Sequence, residues 1–153
     1  MQFDRFTVVL LYRNEHGPDL SEDERDALQD AHLNHLATLH EAGTLIAAGP
    51  TGFHDPDEVL RGVSILNVGV EEARALKEAD PAVQAGLFSI KCVPWMVPAG
   101  AVSYTATRFP HSVAETQADS ELAKPLPRSK RERPGGAASV WPLHRPPRGT
   151  NRS

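Results

Sequence analysis

Two histidines three residues apart, His32 and His35, and an aspartate set before a proline, Asp80-Pro81, are the residues of this chain best suited to moving a proton. Imidazole changes charge near neutral pH. A carboxylate that accepts from one ring nitrogen fixes the tautomer and leaves the other nitrogen for acid–base work. Each residue also has a plainer reading. A histidine on an apolar helix face is often a satisfied core residue, and an Asp N-cap followed by Pro at the first helical position is an ordinary helix start. One carboxylate has lone pairs enough for a cap and a histidine together. The His32-x-x-His35 spacing puts both rings on one helical face, as a metal site would. Two ligands without an HExxH motif or a CxxC pair are a weak signal, and no metal is assigned.

Other reactive types are less well placed. Cys92 shares the strand parity of Phe88 and Ile90, which favours a buried, inert thiol over a nucleophile. Ser64 and Ser89 have no nucleophile-elbow pattern around them. Gly49-Pro50-Thr51-Gly52 is a turn, since it lacks the GxxxxGK[ST] pattern of a phosphate loop, and no cofactor motif is present. Tyr12, His35 and Trp95 are candidates for lining a substrate pocket between helix and sheet.

The elements that would position these groups follow from periodicity. Phe6 to Tyr12 alternates as a strand, and Gly17-Pro18 breaks it. Ser21 and Glu24 have the spacing of a capping box, opening a helix to about Ala42 that Gly43 can stop. On its wheel Leu28, Ala31, Leu36, Leu39 and Ala42 form one face, with His32 and His35 in the same arc and His40 at the rim. Short strands are expected over Leu45–Ala48 and Gly62–Val68, joined through His54-Asp55-Pro56-Asp57. A second helix spans Glu71–Ala79, with its acids first and Lys77 later, as the macrodipole prefers. Asp80-Pro81 opens a short turn of helix to Gly86, and Leu87–Val93 is the fourth strand. Pro94, Pro98 and Gly100 then loosen the chain, and Val102–Thr105 is a candidate edge strand.

The order β-α-β-β-α-β predicts an α+β, ferredoxin-like fold: a four-stranded antiparallel sheet with both helices on one face. The first and third strands are apolar on both faces. A solvated second face should alternate with polar residues. The simplest cover is the same sheet from a second copy, so a homodimer packed through its sheet faces is expected.

Composition separates this body from the residues after Thr107. The chain has 153 residues, and hydrophobic residues make up 40% of it. Residues 1–107 carry 7 Lys+Arg against 16 Asp+Glu, and residues 108–153 carry 9 against 4. Seven of the 13 prolines also fall after Thr107. Residues 1–107 therefore read as one domain and residues 108–153 as a disordered, basic Pro/Arg-rich tail. No aromatics interleave the basic residues, so nonspecific charge explains the tail better than a nucleic-acid site. The longest early apolar run, Val8–Leu11, is too short for a membrane span, and no basic region precedes it. Cys92, the single cysteine, allows no intramolecular disulfide, which fits a reducing compartment. The expected location is cytoplasmic.

Several motifs in order resemble the YciI (YCII-related) family, of the dimeric α/β-barrel type. They are Ala31-His32-Leu33-Asn34-His35-Leu36 running on to Gly43-Thr44-Leu45-Ile46-Ala47-Ala48-Gly49-Pro50, then Arg61-Gly62-Val63, Glu71-Glu72-Ala73, Asp80-Pro81-Ala82-Val83-x-Ala85-Gly86, and Val93-Pro94-Trp95. The likeness covers about residues 5–105 and leaves the tail out. Where relatives often place Ser or Thr as the cap of the second helix, this chain has Gly69. The resemblance implies a ferredoxin-like fold, dimerisation through the sheets and a His–Asp dyad, which by motif position is His32 and Asp80. The implied activity is cofactor-free proton transfer of a lyase, isomerase or dehydrochlorinase kind on a small molecule. The competing reading is a non-catalytic metabolite-binding or accessory dimer. Fold-level likeness does not fix a reaction.

Overall fold

The computed structural model describes residues 1–51 and 58–122. The expected His54–Asp57 loop and the chain beyond residue 122 lie outside the described residues. Four strands and four helices are present among the described residues: β1 Phe3–Arg13, α1 Glu22–Glu41, β2 Leu45–Pro50, β3 Leu60–Leu66, α2 Val70–Glu78, α3 Pro81–Gln84, β4 Phe88–Pro98 and α4 Val113–Leu122. The sheet order is β2-β3-β1-β4, with every neighbouring pair antiparallel. This is the ferredoxin-like arrangement that the element order predicts.

Local chemistry explains the element ends. The Ser21 hydroxyl accepts from the Glu24 N–H, and the Glu24 carboxylate accepts from the Ser21 N–H, closing the capping box. After α1 the chain turns at Gly43 with φ +76°, a left-handed conformation that suits glycine. Gly69 caps α2 without a side-chain bond. The Asp80 side chain accepts from the Ala82 N–H, with Pro81 at the start of α3.

One face of the sheet carries the core. Val9 packs with Leu36, Leu39, Leu45, Leu66 and Ala73, while Leu11 packs with Ala82 and Phe88. The opposite parity, with Val8, Leu10, Val63, Ile65 and Val93, is only half-buried. Cys92 falls on the helix-facing parity opposite Val9 and packs against the first cluster, and burial pushes its thiol pKa up. Its register predicts a buried thiol, and Cys92 is half-buried.

Two boundaries differ from expectation. The fourth strand does not stop at Val93 but stays paired with β1 as far as Pro98, opposite Phe3. It is an edge strand, where a proline can turn its missing N–H away from the ladder. Val102–Thr105 forms no strand.

The second difference lies in residues 108–122, for which composition predicts disorder. They instead lie back on α1 and end in α4. His40 is the anchor, only 1% exposed. Its Nδ1 donates to the Leu45 carbonyl at 2.7 Å, and its Nε2 accepts from the Thr107 N–H at 3.1 Å. Phe109 stacks on its ring at 4.2 Å, and the Tyr104 hydroxyl donates to its carbonyl. These contacts are single aromatic and polar pairings, which leave no periodic signature. Among the described residues, no helix is long and apolar enough to cross a membrane.

Candidate active site

The buried face of α1 carries His32 to the start of α3, where Asp80 caps the helix. The ring Nδ1 lies 2.9 Å from Asp80 Oδ1 and 2.8 Å from Oδ2, a contact shared by both carboxylate oxygens. Asp80 is fully buried and His32 is 6% exposed. The same Oδ1 accepts from the Ala82 N–H at 3.0 Å, so the cap and the histidine contact coexist on one carboxylate. Burial alone would raise the Asp80 pKa. His32, Lys77 and the Ala82 N–H together outweigh it and hold the group below its ordinary range, so Asp80 is an anion. An ionised Asp80 can only accept, so Nδ1 is the donor of this pair, and in the neutral ring the lone pair is on Nε2.

Nε2 makes no hydrogen bond among the described residues. No side-chain nitrogen or oxygen of theirs is both sealed and unpartnered, so Nε2 is not sealed, and His32 lines a cavity. The cavity holds about 50 Å³, room for several waters and so for the polar head of a small molecule. Its walls are largely apolar, with Leu11, Leu36, Pro50 and Phe88, and the Phe88 ring lies 6.3 Å from that of His32. Gln29, Ser64, Lys77 and Arg61 supply the polar lining. An apolar cleft with a few convergent polar groups is the usual form of a small-molecule site.

Lys77 is a site residue that sequence reasoning misses. It is 1% exposed, and its Nζ lies 3.4 Å from Asp80 Oδ2. Burial lowers its pKa, and Asp80 pulls it partly back. The available signal is its place on α2, four residues after the buried Ala73 and three before Asp80. Gln29 and Ser64 are each 7% exposed, and their side chains have no hydrogen-bond partner among the described residues. Ser64 faces the helices opposite Val9, a position legible from strand parity once the faces are assigned.

The three remaining candidates do not line this cavity. His35 is half-buried, and its Nε2 donates to the Leu76 carbonyl at 2.9 Å. Burial pushes the His35 pKa down, against the attraction of Asp80, which keeps the ring neutral and spent on that bond. Tyr12 pairs with Ser89 and Trp95 with Phe6, both at the parity that points away from the helices. Trp95 is 37% exposed and tilts against the Phe6 ring at 6.3 Å. The strand alternation that suggests Tyr12 and Trp95 places them on the other side of the sheet from His32.

Comparison with known proteins gives a family and a structural neighbour. Among solved structures, the chain is similar to the 5-chloro-2-hydroxyhydroquinone dehydrochlorinase TftG from Burkholderia phenoliruptrix AC1100, solved in complex with 2,5-dihydroxybenzoquinone. The identity is 22%, the match covers 62% of this chain and 95% of that one, and the TM-score is 0.43. No curated protein sequence matches the chain. The model of the YCII-related domain matches residues 6–96, more than half the chain and the whole of the segment that builds the His32–Asp80 contact. The chain belongs to the family of YCII-related domains.

Proposed function

We propose that the cavity is the active site of a cofactor-free enzyme that moves a proton on a small molecule. One observation carries this reading: His32 is held by a buried carboxylate through Nδ1 and lines a mostly apolar cavity with Nε2 left without a partner among the described residues. Nε2 takes a proton from a carbon next to a carbonyl, or from a hydroxyl, and Asp80 holds the ring through the transfer. The electron pair left behind can expel a leaving group, which is elimination. It can also be reprotonated elsewhere, which is isomerisation. Neither outcome needs more than one general base and a group to orient it.

The same reading places two copies face to face. The half-buried strip of Val8, Leu10, Val63, Ile65 and Val93 is a face that helices leave uncovered, and Tyr12 and Trp95 would lie in that interface. Sedimentation of the intact chain should give a dimer that Ile65→Asp dissociates.

The functional test is a screen of small carbonyl and hydroxylated ring compounds against wild type and His32→Asn. Turnover that falls by about 10²- to 10⁴-fold in the variant, with its melting curve kept, is the expected result. Equal turnover in both proteins would remove His32 from the chemistry. Saturable binding with no product from any compound would favour a metabolite-binding role for the same cavity.

A further inference from the structure

Hydrogen-bonding capacity around the cavity is lopsided. Lys77 Nζ has three N–H groups and one acceptor, Asp80 Oδ2, at a long 3.4 Å. That oxygen already receives His32 at 2.8 Å, and the other serves His32 and the Ala82 N–H. Asp80 is therefore saturated, and two Lys77 donors have no acceptor among the described residues. Gln29 and Ser64 line the same cavity, and their side-chain donors have no partner among the described residues. Burying an ammonium that is under-partnered is expensive unless something else accepts from it. The surrounding body cannot attract an anion from a distance, because residues 1–107 carry a net −9. An acceptor would be held by local donors alone.

We infer that Lys77, assisted by Gln29 and Ser64, holds the substrate oxygen on which negative charge develops, so that the substrate is a ketone or phenol that reacts as its enolate or phenolate. The inference rests on the cavity being the substrate site. His32 Nε2 takes the proton, and the electron pair it leaves settles on the oxygen. Lys77 donates an N–H to that oxygen. The cluster starts with one ammonium and one carboxylate, and after transfer it holds an imidazolium and an oxyanion in addition. It is neutral at both stages. No oxidant or metal enters the balance, and the proton on His32 returns to product or leaves with the departing group. Donors fixed in advance around a developing oxyanion act strongly because the site need not reorganise.

4-Nitrophenol is a direct probe, since its phenolate is yellow and its phenol is not. At a pH below its own ionisation midpoint in water, wild type should bind it and produce the phenolate band. Lys77→Met should lose the band and bind about 10- to 100-fold more weakly, the range for a charge-assisted hydrogen bond. Lys77→Gln keeps a donor without the charge, should fall between the two, and serves if the Met variant does not fold. No phenolate band with wild type, whether from binding as the neutral phenol or from no binding, would overturn the inference. A band that persists in both Lys77 variants would do the same. Adding pre-ionised nitrophenolate to His32→Asn separates the two readings. Retained binding there, together with turnover indifferent to His32, would leave Lys77 in its role and remove the proton-transfer assignment.

Discussion

Replacing Asp80 by Asn keeps the shape of the side chain and removes the charge on which three elements converge. Asp80 is fully buried and accepts from His32, Lys77 and the Ala82 N–H. The asparagine carbonyl can keep the cap on Ala82. Its amide nitrogen then occupies the place of Oδ2, facing the Nδ1–H of His32 and the Lys77 ammonium, donor against donor. Removing one partner of a buried ion pair costs about 3–5 kcal/mol. Lys77 can limit this by shedding its proton, a direction in which burial already pushes it. The expected loss is therefore about 3 kcal/mol, a large share of the roughly 5–15 kcal/mol that holds a domain together. Urea unfolding of both proteins at neutral pH measures it. A second substitution, Lys77→Met, should recover part of the loss by removing the orphaned ammonium, so the two changes should not add.

The pH dependence of this pair has a definite sign. The Asp80 carboxyl is lowered in the folded chain, so its contribution is complete above about pH 4, the unfolded carboxylate value, and is lost as pH falls through the lower folded value. Asp80→Asn should remove that acid limb. A loss under about 1 kcal/mol at neutral pH, with the acid limb intact, would refute the view that Asp80 is the buried hub of the site.

Further outcomes concern the frame around it. Gly43→Ala should cost about 1 kcal/mol in a denaturant titration, because the added Cβ meets no atom within 4 Å and only the φ of +76° opposes it. Phe109→Ala should cost roughly 2 kcal/mol by the same assay and raise hydrogen exchange at Thr107, since Phe109 stacks on His40 and is half-buried. The neutral His35 should give a second pH dependence. Its folded pKa is lowered by burial, so stability should fall as pH drops below about 6.5, and His35→Gln should flatten that slope in thermal unfolding.

The residues that read cleanly from sequence are those whose structural rule is local. Ser21 and Glu24 announce a capping box within four residues, and Asp80-Pro81 announces a helix start within two. The βαββαβ order follows from strand alternation and one long amphipathic helix. His32 and Asp80 are 48 residues apart, and only the family motif joins them in advance. Lys77 reads as a favourable charge near a helix end, because its burial depends on α2 packing against the sheet beside α3. Gln29 is polar, yet it shares the buried face of α1 with His32, Leu33 and Leu36, three, four and seven residues on. Tyr12 and Trp95 show the limit of alternation, which says that residues share a face but not which face meets the helices. Residues 108–122 have the composition of a disordered tail, yet Phe109 stacks on His40 and the Val113 N–H donates to Asp30, contacts far apart in sequence.

The central claim is that Asp80 fixes His32 with its proton on Nδ1 and its lone pair on Nε2, toward the cavity. Long-range proton–nitrogen NMR of the His32 ring, recorded in the neutral form, reads this directly. The account expects the Nδ1–H tautomer in wild type and its loss in Asp80→Asn. A His32 ring that carries its proton on Nε2 in wild type would contradict it, because no lone pair would then face the cavity.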